Sequence, residues 1–453
     1  MNHTTGGNEE KLRRGLQPRH IMLMAMAGMI GTGIFKGSGD TLNIAGPSVV
    51  IAYLICGLIL FIVMGALAEL AIAYPGLNLQ HLIRKAFGFR SSIIIGWLYW
   101  INWMIVIIVE ILAAGSFLNY WFPLPLWLLS AFCGLFIIGI NLFQVNYYGE
   151  FEFWFAGIKI FAIIAFIILG FLILFGIIPT PIQPLKNLFG YGGLFPNGAA
   201  GVIEALLVVI FSYGGSELIG MTVTEAKDVE KTLPRVIKSV VSRVILFYIL
   251  PISIICGMMP WNQVSATRSS PFIQVFEAAG IPGAPHIMNF ILLTAVLSAA
   301  NSGIYATTRT LFTMAERGEA PAFAHKLTRR GVPIGGLALT TFFLIIGVIL
   351  AYIAKEQVIN QLMSIPGFTI SIVWMAICAA ELKLRPTYSR LPFFRVIGFP
   401  YVTMAGLLAL FAIFISFVMN KANLTGTITC FVIIGTLITI SFFITGEKKS
   451  VKE

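Results

Sequence analysis

Gly31-Thr32-Gly33 and Ser212-Tyr213-Gly214-Gly215 each fall in the middle of a hydrophobic run long enough to cross a bilayer. A simple membrane anchor keeps every backbone group hydrogen-bonded along such a run. Unwound backbone at that depth is tolerated only where it is buried in protein or lines a cavity. Two such interruptions, five hydrophobic runs apart, predict a small-solute site built from the ends of broken helices. Gly31 lies about 12 residues, or roughly 18 Å, from the start of its run, near the bilayer midplane. Tyr213 lies at a comparable depth in its own run.

The rest of the chain supports a membrane setting. Hydrophobic residues make up 58% of the 453 positions and charged residues 11%, far more apolar sequence than a soluble core needs. Runs near 20–44, 47–74, 93–119, 125–145, 152–176, 199–226, 236–259, 286–316, 334–354, 358–382, 398–420 and 424–445 predict twelve spans. Residues 75–92, with Leu79-Gln80-His81-Leu82-Ile83-Arg84, read as an amphipathic piece at the interface. Residues 1–19 and 447–453 are short polar tails around one transmembrane domain, 20–446, and no removable signal peptide is expected.

The net charge of +11 does not indicate nucleic acid. With the N-terminus inside, only Lys36, Lys186, Arg268, Lys355 and Lys421 face outward, and Lys159 lies within a span. The remaining Lys and Arg fall on the cytoplasmic side, as the positive-inside rule requires, with both termini cytoplasmic. The five cysteines, Cys56, Cys133, Cys256, Cys378 and Cys430, sit singly in apolar runs, and the five histidines are scattered over termini and span edges. No metal site, no cofactor, no nucleophile–base pair and no phosphate-binding Gly-rich Lys loop is indicated. The chain is not expected to be an enzyme, nor to use ATP directly.

Spans 1–5 (about 20–176) and 6–10 (about 199–382) form two halves of five, so the second enters the membrane inverted relative to the first, with two extra helices over 398–445. The opening span of each half carries the break. The first half-helices end near Met29-Ile30 and Ile210-Phe211, exposing carbonyls and partial negative charge. The second half-helices start near Gly33-Ile34 and Gly215-Ser216, exposing N–H groups and partial positive charge. A zwitterion of α-amino-acid size matches both poles, its carboxylate on the N–H groups and its ammonium on the carbonyls. Candidate substrate residues are therefore Ile30, Gly31, Thr32, Gly33 and Ile34 in span 1, and Phe211, Ser212, Tyr213, Gly214 and Gly215 in span 6. Glycines also serve close helix packing; their paired placement in an inverted repeat favours the site.

The motifs Gly15-Leu-Gln-Pro-Arg-His20, Gly31-Thr-Gly-Ile-Phe-Lys-Gly-Ser-Gly39, Glu152-Phe-Trp-Phe-Ala-Gly-Ile-Lys159, Phe211-Ser-Tyr-Gly-Gly-Ser-Glu217 and Ser298-Ala-Ala-Asn301-Ser-Gly occur in this order. Together they resemble bacterial amino acid permeases of the amino acid–polyamine–organocation superfamily over nearly the whole chain. The resemblance implies an all-α polytopic fold of the leucine-transporter type: a 5+5 inverted repeat with broken helices 1 and 6, plus two C-terminal helices. It also implies secondary transport of an amino acid across the plasma membrane.

Lys159 lies about 10 Å inside span 5, and an ionisable residue at that depth is a functional candidate by default. In sodium-coupled relatives of this fold a metal ion lies between helices 1 and 8. The resemblance implies that the Lys159 amine takes that region, bonding carbonyls near Met29-Ile30 and Ser298 or Asn301. Lys159 is read either as a coupling or gating residue or as a charged strut between helices 5 and 1. The resemblance makes Phe211 an aromatic lid. Glu217 follows the second break, where a stabilising and a substrate role weigh evenly, while Glu110 reads as a structural pair or part of a wet vestibule toward the outer end of span 3.

These readings predict proton-coupled uptake of a neutral L-amino acid, the partners being substrate, protons and membrane lipid. Permeation of a basic or γ-amino acid, amino acid exchange, and a non-transporting nutrient sensor are the alternatives.

Overall fold

The computed structural model describes residues 29–142, 145–218, 237, 239–264, 269–328, 331–354, 356–389, 391–420 and 423–444. Among these residues nine helices are long and apolar enough to cross a membrane: Gly37–Ala73, Phe89–Asn119, Glu152–Leu174, Ser239–Met258, Ala284–Glu316, Ile334–Ile353, Ile365–Thr387, Tyr401–Met419 and Leu424–Phe443. Two shorter apolar helices, Leu126–Asn141 and Gly198–Tyr213, match spans 4 and the first half of span 6. No β-strand occurs among the described residues. The expected start of span 1 (20–28), the end of span 6 (219–226), most of the loop before span 7 and both terminal tails lie outside them.

Helix ends follow local chemistry. Span 1 passes into span 2 through a short turn, Gly46–Ser48, where Gly46 takes φ 63° and Pro47 starts the next helix without needing a donor. The expected interfacial piece is a helix, Leu79–Phe87, whose N-terminus is capped by the Asn78 side chain accepting from the His81 N–H at 3.1 Å.

Span 8, Ala284–Glu316, is the central post. Its small residues let neighbours approach closely: a Cβ on Gly303 would come within 2.6 Å of Ile107 in span 3. The short links at the span ends are pinned by buried charge. Glu319 accepts from Arg84 at 3.2 Å, and Arg317 donates to Gln80 at 2.9 Å. Glu69, fully buried at the end of span 2, pairs with Arg385 at 2.9 Å and accepts the Val396 N–H at 2.7 Å. The five cysteines are buried and free. Span 3 packs along span 8 and touches the helix Thr32–Phe35 of span 1.

Candidate functional site

Non-helical backbone stands at both expected places. Met29, Ile30 and Gly31 are non-helical, and a helix begins at Thr32 with Gly31 in extended backbone. Its first ladder bond runs from the Phe35 N–H to Gly31 O at 3.2 Å, so the N–H groups of Thr32, Gly33 and Ile34 have no partner within the helix. In span 6 the helix ends at Tyr213, and residues 214–217 form turns. Gly215 takes φ 98°, a left-handed conformation that demands glycine, whereas Gly214 has φ −55° and does not.

The two breaks face each other closely. A Cβ on Gly33 would lie 2.5 Å from Ser212 Cα. Between them is a cavity of about 20 Å³ whose lining includes Gly31, Gly33, Asn102, Glu110, Phe211 and Gly215. It has room for a water molecule and not for an amino acid; this conformation is closed. Phe211, almost fully buried, is one of its walls. The Tyr213 side chain turns away, its hydroxyl donating to Tyr53 O at 2.9 Å.

The backbone at each of the two places is met by a carboxylate of the protein itself. Glu110 accepts from the Thr32 N–H at 3.0 and 3.1 Å and from the Thr32 hydroxyl at 2.7 Å. Glu217 accepts from the Gly215 N–H at 3.1 and 3.2 Å, with the Trp374 indole N–H 3.5 Å away. Glu110 therefore belongs to the break in span 1 and not to a vestibule near the outer end of span 3. Counting residues along one helix gives depth along that helix. It does not say which neighbour lies alongside at that level, and span 3 starts earlier than expected, at Phe89.

Lys159 is fully buried, and its Nζ donates to Ile30 O at 3.3 Å. Glu152 and Glu110 are the carboxylates whose charge acts on it. Of the other residues grouped with it, Ser298 donates to Glu152 Oε1 at 2.6 Å, and Asn301 Oδ1 accepts from Asn141 at 2.7 Å. The described contacts thus link Lys159 to the break, with Ser298 reaching Glu152 one step away.

One member of the site carried no sequence signal. Tyr248, in span 7, sits on a wide π-turn, Ile245–Ile249, that ends two residues before Pro251, whose ring removes a donor from the helix ladder. Its hydroxyl reaches Met29 O at 2.6 Å and Ser212 O at 2.8 Å, one carbonyl from each break. A phenol has one proton and serves one carbonyl at a time. Replacing Tyr248 with Phe keeps the ring packed against Tyr53 and Tyr213 but removes this bridge. The expected loss is about 1–3 kcal/mol, read as backbone amide exchange over residues 29–35 and 210–217 accelerated about fivefold to a hundredfold. Unchanged exchange in both segments would show that the hydroxyl does not hold the breaks together.

A multi-pass membrane protein in which non-helical backbone from two spans meets at one buried cavity fits the transporter class. The model of the amino acid permease family matches residues 20–450, and the chain belongs to that family. It is 40% identical over 444 residues to the uncharacterized amino acid permease YvbW of Bacillus subtilis, covering 97% of this chain and 99% of that one. It is 37% identical to the gamma-aminobutyric acid permease of the same organism, over 97% of this chain and 95% of the relative. To the aromatic amino acid transport protein AroP of Escherichia coli it is 35% identical, over 83% of each chain. The relatives are permeases and not enzymes; the chain's function is amino acid transport.

Proposed function

We propose that the protein takes up a neutral L-amino acid across the bacterial plasma membrane by proton-coupled symport and alternating access. The scaffold is a 12-helix, 5+5 inverted repeat with both termini cytoplasmic. The observation that carries the coupling is the position of Glu110 on the Thr32 N–H and hydroxyl. Those donors, with the N–H groups of Gly33 and Ile34, are the natural seat for a substrate carboxylate. Two ionised carboxylates crowded on one helix start in a closed, water-poor cavity repel strongly. Substrate binding therefore requires Glu110 to take up a proton, and the substrate arrives with that proton. The ammonium then faces Met29 O and Ser212 O, which exchange the shared Tyr248 proton for a donor of their own. Lys159, on the neighbouring Ile30 carbonyl, gates the movement of span 1: on the inward side its amine gives a proton to the cytoplasm and takes the Glu110 proton in its place, so one proton crosses with each substrate.

This mechanism fixes a sign. Binding of a neutral substrate should tighten as pH falls, by up to about tenfold per pH unit for one linked proton. Glu110→Gln keeps the shape and can still accept from Thr32, so it should bind substrate with the pH dependence removed. Binding measured on purified protein across pH, wild type against variant, tests this; a wild-type slope persisting in Glu110→Gln sinks the assignment.

The same buried carboxylate supports a second reading, a basic amino acid whose extra cation pairs with ionised Glu110. In that case Glu110→Gln loses affinity at every pH. The named substrates of the relatives range from gamma-aminobutyric acid to aromatic amino acids, so ancestry does not choose the side chain. Proteoliposome uptake of a panel of labelled amino acids, with and without an imposed pH gradient, does.

A further inference from the structure

A second concavity lies apart from the breaks, on the lipid-facing side of the bundle. It encloses about 710 Å³ between span 3, span 9 and span 12, under the link that follows span 8. Its walls include Trp100, Met104, Ile108, Phe343, Leu437 and Ile440. Trp100 stands edge-on to both Trp97 and Phe343, with ring centroids 5.5 and 5.4 Å apart. Along span 3 the lining positions Trp97, Ile101, Met104 and Ile108 form one helical stripe. Their separation covers roughly 16 Å of helix, about half the hydrocarbon thickness of a bilayer. The groove therefore has the reach of a single leaflet.

Chemistry changes at the end of the stripe that the charge bias assigns to the cytoplasm. Trp97 donates its indole N–H to Glu319 O at 3.1 Å, the amphipathic placement of an interfacial tryptophan. Seven residues before it on the same helical face is Arg90. Its guanidinium lies 4.3 Å from the ring centroid of Phe442 on span 12, and it is exposed. Among the described residues no carboxylate pairs with Arg90. Glu319, which borders the groove, is buried and already paired with Arg84 at 3.2 Å and Arg317 at 3.8 Å. The mouth thus offers a cation with no carboxylate partner among the described residues, held between two helices, directly below an apolar slot one leaflet deep.

We propose that this groove binds an anionic phospholipid of the cytoplasmic leaflet, one acyl chain lying along Trp100 and Met104 and the phosphate on Arg90. The groove lies along span 3, which carries Glu110, and the link that follows span 8, so the lipid rests on an element that reaches the candidate substrate site without entering it. The proposal uses the orientation of the chain but not the identity of the transported amino acid.

The test uses the groove's own fluorophores, Trp97 and Trp100, in full-length protein reconstituted into phosphatidylcholine vesicles. Brominated phosphatidylglycerol and brominated phosphatidylcholine are titrated separately, and tryptophan quenching is followed. In the wild type the anionic lipid should reach half-maximal quenching at about fivefold lower mole fraction, the preference expected of one surface cation. Arg90→Gln, at an exposed position, should fold and lose that preference, and Trp97→Phe with Trp100→Phe should remove the selectively quenched signal. Equal quenching by the two lipids in the wild type, or a preference that survives Arg90→Gln, would overturn the proposal. So would a dimeric mass by light scattering accompanied by groove tryptophans shielded from both lipids, which would make a second copy the occupant.

Discussion

Lys159→Ala is expected to abolish proton-driven accumulation. One coupled proton supports up to about tenfold accumulation per pH unit of gradient, because a pH unit is worth about 1.4 kcal/mol. Without the amine that ratio should fall to about one. The side chain is fully buried and donates to Ile30 O at 3.3 Å, so its removal leaves a buried carbonyl without this donor and Glu152 and Glu110 without their neighbouring cation. Breaking a buried charge cluster costs about 3–5 kcal/mol, which makes folded yield a necessary control. Lys159→Arg separates the two readings of this residue. Arginine keeps the charge and the bond but does not lose its proton. As a gating and coupling residue, Lys159→Arg should still exchange labelled for unlabelled substrate while failing to concentrate it. A sodium gradient should be dispensable in the wild type, since an ammonium and a sodium ion in one low-dielectric site repel. Accumulation by the Arg variant with an unchanged pH profile would make Lys159 a strut, with Glu110 releasing its proton by another route and Glu217 the next relay to examine.

Gly31→Leu should reduce uptake by about a hundredfold with the protein still folded in the membrane. Even the first carbon of a side chain at Gly31 would stand 2.4 Å from Glu110 Oε1 and 3.1 Å from Ala299 Cβ. The branched remainder would push Glu110 off Thr32 and fill the cavity. Overpacking of this kind costs about 1–3 kcal/mol, and it falls on the closed conformation through which transport must pass. Gly214→Leu is expected to be milder, because Gly214 has φ −55° and its nearest obstacle is Phe211 O at 3.1 Å. Uptake in proteoliposomes, set against the amount of folded protein, measures both. Wild-type transport by Gly31→Leu would remove the break in span 1 from the site.

Several features of this protein are properties of the chain read one segment at a time. Apolar run length identifies the membrane class, and small residues in mid-run mark where the backbone of spans 1 and 6 is non-helical. Lys159 was conspicuous because a charge seven residues inside a span is costly wherever the helix sits. The motif order around Gly31, Lys159 and Phe211 pointed to the permease family. Each of these signals depends on depth and composition along a single helix, and both survive without knowing the neighbours.

What only the tertiary structure decided is which side chains meet the broken backbone. Glu110 reaches Thr32, 78 residues away in sequence, because span 3 crosses behind span 1 at that height, and helix crossing and rotation leave no mark in a hydrophobic run. Tyr248 depends on a π-turn that shifts the register of span 7 before Pro251, and a regular 3.6-residue period does not anticipate that shift. The groove above Arg90 exists because three separate spans fail to fill the space between them. A void of that kind is a property of packed volumes, and no single segment encodes it.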